Sequence, residues 1–270
     1  MILIGERING AYKDIGRAVK NRNPEPIRDW VSRQVAQGAD YLDVNVGTLA
    51  EDPVDAMKWL ARTVREVTGC PLCFDSPNPD VIHAGLEIGG PGSIINSCPA
   101  ERSRIEVLFP MARESGARII GLTMNEQGIP RDADSRAALA MELVASADEF
   151  GVAADDLFID PLLMPVGVAQ EHTPEALKTI AAVRMLSSPP PRTVVGLSNV
   201  SQRTFDRSLI NRTFMVMAMA VGLDAAILDV CDESLVDAIA TARILLNQEI
   251  YADSYIKLFR SRKQPDQRSS

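Results

Sequence analysis

TVVGLSN, residues 193–199, is a short apolar run that stops at the polar residues Ser198 and Asn199. A short valine-rich run that ends in this way is typical of a buried strand in a parallel sheet. The chain continues with a nearly all-apolar helical pattern, NRTFMVMAMAVG (211–222), and a second short run, AAILDV (225–230). Strand, helix and strand in this order form the repeating unit of α/β folds.

The same alternation extends along the whole chain. Six more runs predict strands: ILIGERI (2–8), YLDVNV (41–46), PLCFDS (71–76), GSIINS (92–97), RIIGLTM (118–124) and LFIDP (157–161). Helical patterns lie between them, among them PIRDWVSRQVAQGA (26–39) and SRAALAMELVASADEFG (135–151). Eight such units match a (β/α)8 barrel of about 250 residues. We therefore predict a single TIM barrel over residues 1–262, followed by a flexible tail at 263–270. An open, doubly wound sheet is the alternative, because the sequence does not reveal strand order.

Composition excludes several classes of protein. The 270 residues are 46% hydrophobic and carry a formal net charge of −8, which disfavours binding to nucleic acid. No apolar run approaches the ~20 residues that span a bilayer. Glu6 and Arg7 interrupt the N-terminal apolar stretch too early for a signal peptide. We therefore predict a cytoplasmic protein that binds neither membranes nor nucleic acid.

The common catalytic motifs are missing. The two histidines, His83 and His172, fall on or near predicted helices, so neither a catalytic triad nor a metal site is expected. The CPLC motif (70–73) has no second pair of ligands and lies between a helix and a strand, which favours apolar packing over redox chemistry. The glycine-rich EIGGPGS (87–93) precedes a strand, so we interpret it as a turn on the bottom face rather than a phosphate loop.

Polar residues end almost every predicted strand. They are Asp43, Asn45, Asp75, Ser76, Asn96, Ser97, Asn125, Asp160, Ser198, Asn199 and Asp229. Asp and Asn at such positions also start turns and cap helices, which is the simpler interpretation of any one of them. Because so many occur at the end of the barrel that carries active sites, a polar ligand pocket is favoured. Carboxylates and amides such as Asp75, Asn96 and Asp160 match the edge of an aminopyrimidinone ring.

Several longer segments together resemble one known family. They are GERING (5–10), LDVNVG (42–47), DS (75–76), INS (95–97), IGLTMN (120–125), IDPLLMP (159–165), GLSNVSQ (196–202), LINRTFMVMAMAVGLDAAILD (209–229) and LLNQ (245–248). In this order they resemble the methyltetrahydrofolate:corrinoid methyltransferases, which are pterin-binding TIM barrels. The resemblance extends from residue 2 to about residue 260.

The resemblance implies a substrate, a partner and a set of site residues. The substrate would be tetrahydrofolate or 5-methyltetrahydrofolate, and the methyl group would pass to or from the cobalt of a corrinoid (cobalamin) on a separate protein. The matching pterin-ring contacts are Asp75, Asn96 and Asp160, and the catalytic residue near N5 is Asn199. Gln202 and Arg207 match further folate contacts, and Met124, Gly196 and Ser198 would line the pocket. The family is typically homodimeric, which suits the apolar segment 211–222.

Methyl transfer from N5 requires catalysis, because the nitrogen anion that would leave is too basic to be a good leaving group. N5 must gain a proton or a strong hydrogen bond as the bond to carbon breaks. A preorganised amide donor such as Asn199 would contribute roughly 2–4 kcal/mol, by analogy with oxyanion-hole donors. The proton would come from water through Asn199 and its neighbours. The chain lacks the D-x-H-x-x-G motif of corrinoid-binding modules, since His83 follows Asp80 by three positions without the glycine.

Two other functions remain open. A dihydropteroate synthase would share the barrel, but it is expected to carry a Ser-Thr-Arg-Pro loop and a lysine. Here GTLAEDP (47–53) follows the second strand, and Gln202 and Arg203 stand where the lysine is expected. A non-catalytic folate-binding protein would keep only the ring contacts, whereas Asn199, Gln202 and Arg207 are all present. Within the favoured family, the direction of methyl transfer is open: the methyl group would pass either from methyltetrahydrofolate to a corrinoid/iron–sulfur protein or from a methylated corrinoid protein to tetrahydrofolate.

Overall fold

The computed structural model describes residues 1–48 and 50–249. Its eight strands pair in parallel, each with its neighbours in sequence, and β1 also pairs with β8 to close a barrel. The strands are β1 Ile2–Asn9, β2 Tyr41–Asn45, β3 Leu72–Asp75, β4 Ile94–Pro99, β5 Arg118–Leu122, β6 Leu157–Asp160, β7 Arg192–Gly196 and β8 Ala225–Leu228. The predicted (β/α)8 barrel is confirmed, and the open-sheet alternative is wrong.

Helices connect the strands on the outside of the barrel. They are α1 Lys13–Asn21, α2 Glu25–Ala36, α3 Pro53–Arg65, α4 Pro79–Gly89, α5 Arg102–Ser115, α6 Ala133–Phe150, α7 Val166–Ala169, α8 His172–Val183, α9 Arg207–Ala220 and α10 Glu233–Leu245. Among these described helices, none is long and apolar enough to cross a membrane. The predicted cytoplasmic location stays a prediction.

One side chain from each strand fills the interior of the barrel. This layer is buried and consists of Ile4, Tyr41, Cys73, Ile94, Ile120, Phe158, Val194 and Ala225. Side chains on a strand alternate between its two faces, so the residue two positions further along also points inward. Those residues are Glu6, Asp43, Asp75, Asn96, Leu122, Asp160, Gly196 and Ile227. The apolar layer is therefore the floor beneath a largely polar layer at the carboxyl ends of the strands.

The opposite faces of the strands pack against the helices. Leu42, Phe74 and Ile159 belong to the large apolar cluster between barrel and helices, and none of them is exposed. Burial of this kind contributes about 25 cal/mol per Å² of apolar surface. Because both faces are covered, the strands appear in the sequence as nearly continuous apolar runs.

Several predicted boundaries differ from the observed ones. The predicted strand 193–199 ends at Gly196, because Leu197–Asn199 turn into a short 3₁₀ helix. The predicted helix 26–39 ends at Ala36, ahead of Gly38 with its φ of +85°. The apolar helix predicted at 211–222 begins earlier, at Arg207, because the Asp206 carboxylate accepts a hydrogen bond from the backbone N–H of Leu209.

Two further predictions concern the cysteines and the chain terminus. Cys73 is part of the buried floor, and burial raises the pKa of its thiol well above the ordinary value. The pKa of Cys70 is also raised, to about 11, mainly by burial. Both groups are therefore protonated at neutral pH, which fits the predicted packing role of CPLC. The predicted tail at 263–270 lies outside the described residues.

Candidate functional site

A cavity of about 450 Å³ opens at the carboxyl ends of the strands. Its lining residues are Glu6, Asn9, Ala11, Tyr12, Asp43, Asp75, Asn96, Ser97, Leu122, Asp160, Leu162, Gly196, Ser198, Asn199, Gln202, Arg207 and Ile227. The set includes four carboxyl groups and one arginine, so the cavity is acidic. It combines hydrogen-bond acceptors for a ligand rich in N–H groups with an apolar wall that can contact a flat ring.

The cavity brings together all of the predicted site residues except Met124. Leu122 occupies the wall position on β5, opposite Asp160 in the neighbouring strand. Beyond Leu122 the chain turns sharply, and the Met124 N–H donates to the Leu122 carbonyl. Met124 therefore leaves the inward-facing series and does not line the cavity, contrary to prediction.

Two amide–carboxylate pairs orient the polar groups on β2, β3 and β4. Asn96 Nδ2 donates to Asp43 Oδ1 at 3.0 Å, which leaves the amide oxygen of Asn96 to accept from a ligand. Asn45 Nδ2 donates to Asp75 Oδ2 at 2.8 Å, which leaves Oδ1 of Asp75 for a ligand. Burial raises the pKa of Asp43 well above its usual value, and the Asp75 charge adds to this effect. Burial also raises the pKa of Asp75.

Asp160 ends β6 and is only 8% exposed. Its Oδ1 atom accepts a hydrogen bond from the Leu162 backbone N–H at 2.7 Å. Burial raises the pKa of Asp160 to about 7, although the Leu162 N–H, the Arg136 charge and the Gly196 N–H oppose the rise. Protonated and ionised forms of Asp160 therefore coexist near neutral pH.

Glu6 is a cavity residue that the sequence interpretation did not select. Its Oε1 atom accepts hydrogen bonds from Ser198 Oγ at 2.8 Å and from the Tyr12 hydroxyl at 3.0 Å. Burial raises the pKa of Glu6, and these two hydrogen bonds oppose the rise. A signal was present, because Glu6 is a charged residue two positions after Ile4 inside an apolar strand.

Asn199 lies on the 3₁₀ turn after β7 and faces the cavity. Arg207 supports this turn, since its Nη2 donates to the Ser198 carbonyl at 3.1 Å and its Nε donates to Ser201 Oγ at 3.2 Å. The Asn199 amide itself makes no hydrogen bond within the described residues and is free to bind a ligand. A Cβ atom at Gly196 would lie 3.0 Å from Asn199 Nδ2, so glycine leaves the space that the amide occupies.

We expect Gly196→Ala to displace the Asn199 amide. Since Asn199 is predicted to be catalytic, turnover at saturating substrate should fall by about 10- to 100-fold, the effect of an Å-scale displacement of a catalytic group. The backbone at Gly196 has φ −78°, which alanine adopts without strain, so the fold should persist. Steady-state kinetics would measure the change. Gly69→Ala is the matched control, since a Cβ at Gly69 meets no atom within 4 Å. Equal rates for the two variants would contradict the role of Gly196.

Besides Ser76, whose Oγ accepts from the Asn78 N–H, two more predicted strand-end residues serve turns and not the cavity. Asn125 Oδ1 accepts from the Gln127 N–H, and Asp229 Oδ1 accepts from the Cys231 N–H. Neither residue lines the cavity. In the part of the chain that the structure describes, no three His, Cys, Asp or Glu side chains are grouped so that they could hold a metal ion.

Comparisons with known proteins find relatives along nearly the whole chain. The chain is similar to a methylcorrinoid:tetrahydrofolate methyltransferase from Eubacterium limosum, with 29% identity over 265 residues that cover 97% of each chain. It is also similar to methionine synthase from Mycobacterium tuberculosis, with 30% identity over 239 residues. That match covers 84% of this chain but only 20% of the much longer methionine synthase.

Solved structures show the same fold. Dihydropteroate synthase from Thermus thermophilus superposes with a TM-score of 0.68 at 19% identity, covering 90% of this chain and 94% of that one. The sequence profile of the pterin binding enzymes matches residues 5–229, which include nearly the whole barrel and the cavity. The chain therefore belongs to the pterin binding enzyme family.

Proposed function

We propose that the protein is a methyltransferase that moves a methyl group between N5 of 5-methyltetrahydrofolate and the cobalt of a corrinoid on a separate protein. The observation that carries this proposal is the convergence of Asp75, Asn96, Asp160 and Asn199 on one cavity. The match to the methylcorrinoid:tetrahydrofolate methyltransferase along 97% of both chains supports it. The chemistry of the cavity is compatible with transfer in either direction.

The carboxylates and Asn96 would bind the pterin ring. Asn45 engages one oxygen of Asp75 and leaves its Oδ1 to accept from ring N–H and NH₂ groups. The Leu162 and Gly196 N–H groups orient the Asp160 carboxylate, whose remaining lone pairs would accept from the same ring. Asn96 can accept through its oxygen because Asp43 holds its amide nitrogen. A ligand without these groups would leave buried acceptors unpaired, which costs about 1–3 kcal/mol for each. This provides selectivity for the pterin ring.

Asn199 would act at N5. As the N5–methyl bond breaks, N5 gains a proton that water supplies, and the amide of Asn199 stabilises the changing charge by hydrogen bonding. The amide does not titrate near neutral pH, so its donor is present at every working pH. Arg207 keeps the Asn199 amide in position by its hydrogen bond to the turn that carries Asn199. Gly196 does so by leaving space for the amide beside β7. Gln202 lines the same cavity and would contact the folate.

The corrinoid would be supplied by the partner, where its cobalt accepts or donates the methyl group. The cavity is small compared with a corrinoid ring but opens at the carboxyl ends of the strands, so N5 would face the partner across this opening. The cavity residues of this chain therefore bind the folate, orient N5 and stabilise its change of charge.

We expect folate affinity to fall as the pH drops below about 7. Asp160 must lose its proton to accept a hydrogen bond, and its pKa in the free protein is about 7. Affinity is therefore complete above that pH and decreases by up to about tenfold for each unit below it. The raised pKa of Asp75 acts in the same direction. Calorimetric titration with 5-methyltetrahydrofolate between about pH 8 and pH 5.5 would measure this, and a constant affinity would contradict the binding role of Asp160.

An absorbance assay would test the function itself. The protein, 5-methyltetrahydrofolate and cob(I)alamin should give methylcobalamin, and the reverse reaction should methylate tetrahydrofolate. A condensation assay with p-aminobenzoate should show no dihydropteroate synthase activity. Folate binding without methyl exchange on any corrinoid would favour a non-catalytic binding protein instead.

We also propose that the protein is a homodimer in which α9 contributes to the contact. The inner face of α9 is buried, as predicted, but Leu209, Val216 and Met217 are 45%, 37% and 48% exposed and share its outer face. We expect light scattering to give twice the 29.4 kDa mass of one chain, and Met217→Glu to give a monomer. A monomeric wild-type protein would contradict the proposal.

A further inference from the structure

Arg136, on α6, is the largest fully buried side chain among the described residues, with 0% exposure. Its hydrogen bonds go to backbone carbonyls: Nε donates to the Pro130 carbonyl at 2.9 Å, and Nη1 donates to the Pro161 carbonyl at 3.0 Å and the Leu162 carbonyl at 3.4 Å. Burying a guanidinium group costs several kcal/mol, and these bonds offset that cost. Arg136 therefore connects the loop before α6 with the turn that follows Asp160.

His172, at the start of α8, is a further hydrogen-bond partner of Arg136. Arg136 Nη2 lies 2.6 Å from His172 Nδ1, and an arginine can only donate. Nδ1 must therefore be the accepting nitrogen, which places the proton of the neutral ring on Nε2. A third segment of the chain is thereby tied to the same guanidinium group.

The turn held by Arg136 is strained. Leu162 has φ +64°, a region that non-glycine residues enter at a cost of about 1–2 kcal/mol. In this conformation the Leu162 N–H reaches Asp160 Oδ1, and both residues line the cavity. Strained residues persist where the surrounding structure holds them in place. Arg136 holds this turn, because it binds two of its carbonyl groups.

We propose that Arg136 is a positioning residue for the folate site: it clamps the Asp160–Leu162 turn in the shape that presents Asp160 to the cavity. The proposal rests on the proposed function, because its measured effect is on folate binding. Arg136 does not line the cavity, so it would act through Asp160.

The charge of Arg136 gives this role a second, separable effect. It lowers the pKa of Asp160 against the larger effect of burial. Asp132 and Glu175 are the other carboxylates whose charges act on Arg136, and Arg136 Nη2 contacts His172 Nδ1. Across the cavity, the other charged or titratable side chains are Glu6, Tyr12, Asp43, Asp75 and Arg207. Removing the Arg136 charge should therefore raise the pKa of Asp160 and move the pH dependence of folate binding to higher pH.

Two substitutions separate the clamp from the charge. Arg136→Met removes both, so 5-methyltetrahydrofolate affinity at about pH 7.5 should fall at least tenfold, the scale of one lost charge-assisted hydrogen bond. Its pH midpoint for binding should also move upward. Arg136→Lys keeps the charge but loses the planar set of guanidinium donors that binds several carbonyl groups at once. Folate affinity should therefore fall, while the pH midpoint for binding stays near that of the wild type. In both variants KM should rise more than kcat falls.

His172 provides variants that leave Arg136 in place. His172→Leu leaves an Nη2 donor unpaired and should weaken folate binding, whereas His172→Asn offers an acceptor oxygen and should restore most of it. These variants keep the proposal testable if Arg136→Met does not fold. Arg65→Met is the matched control, because Arg65 also donates to two backbone carbonyls, those of Cys70 and Gly89, outside the cavity. It should lose stability without a change in folate affinity.

The outcomes are distinguishable. If the wild-type protein neither binds nor demethylates 5-methyltetrahydrofolate, the proposed function is wrong. If the wild type does both, and folded Arg136 and His172 variants bind folate with wild-type affinity and pH dependence, the positioning role is wrong. Equal losses of affinity in the Arg65 and Arg136 variants would also overturn it, because the effect would then be one of general stability.

Discussion

Asn199→Ala should lower the rate of methyl transfer at saturating folate by about 10²–10³-fold, the effect of removing one preorganised donor aimed at a developing charge. Folate affinity should change little, because Asp75, Asn96 and Asp160, the proposed ring contacts, remain in place. Single-turnover absorbance measurements with cob(I)alamin would separate the chemical step from binding. An increase in KM with an unchanged kcat would show that Asn199 binds the folate without stabilising the transition state.

Asn125→Ala is the matched control for this variant. Asn125 also follows a strand at the carboxyl end of the barrel, but it caps a local turn and does not line the cavity. Its substitution should leave the rate of methyl transfer unchanged. If Asn199→Ala turned over at the wild-type rate, the proton would have to reach N5 without help from this amide.

Asp160→Asn should weaken folate binding and, in the same protein, increase stability at alkaline pH. Replacing a charged acceptor by an amide costs about 1.5–3 kcal/mol of binding, or roughly 10- to 100-fold in affinity. The Leu162 N–H can still donate to the remaining oxygen, so the turn should be preserved. Titration with 5-methyltetrahydrofolate at about pH 8 would measure the loss.

The gain in stability follows from the raised pKa. The pKa of Asp160 is about 7 in the folded protein, whereas an unfolded Asp titrates near about 3.9, so the folded state binds more protons between these values. Its favourable contribution is complete below the unfolded pKa and is lost as the pH rises through about 7. The substitution should therefore stabilise the protein by roughly 1 kcal/mol at pH 5 and roughly 4 kcal/mol at pH 8.

Urea unfolding at the two pH values would test this expectation. Asp229→Asn is the control, because Asp229 accepts a hydrogen bond from the backbone N–H two residues ahead, as Asp160 does, but lies outside the cavity. A change in stability that is the same at both pH values would show that Asp160 is not held partly protonated near neutral pH.

Part of the cavity was predictable because it follows a local rule. Asp75, Asn96 and Asp160 each end an apolar run, and parallel strands carry their functional residues at that end. Glu6 obeys the same inward alternation but lies within its strand, where β1 also changes its pairing register. Met124 has a suitable place in the sequence, yet a tight turn after Leu122 removes it from the cavity wall.

Arg136 was not predictable at all. In the sequence it is one charged residue on an amphipathic helix, which usually means a solvated side chain. Its burial depends on carbonyl groups from two loops and on His172, which is 36 residues away. No local sequence pattern predicts such a contact, because each partner has the sequence context of an ordinary loop or helix residue.

The sequence by itself determined the succession of strands and helices along the chain and the polar ends of the strands, because both follow from local periodicity in side-chain character. Only the tertiary structure decided how these pieces act together. Closure of β1 against β8 helps to place Glu6 2.8 Å from Ser198, across 192 residues of chain. Closure and packing also bury Asp160, and removal of water from a carboxylate raises its pKa in a way that depends on every surrounding group.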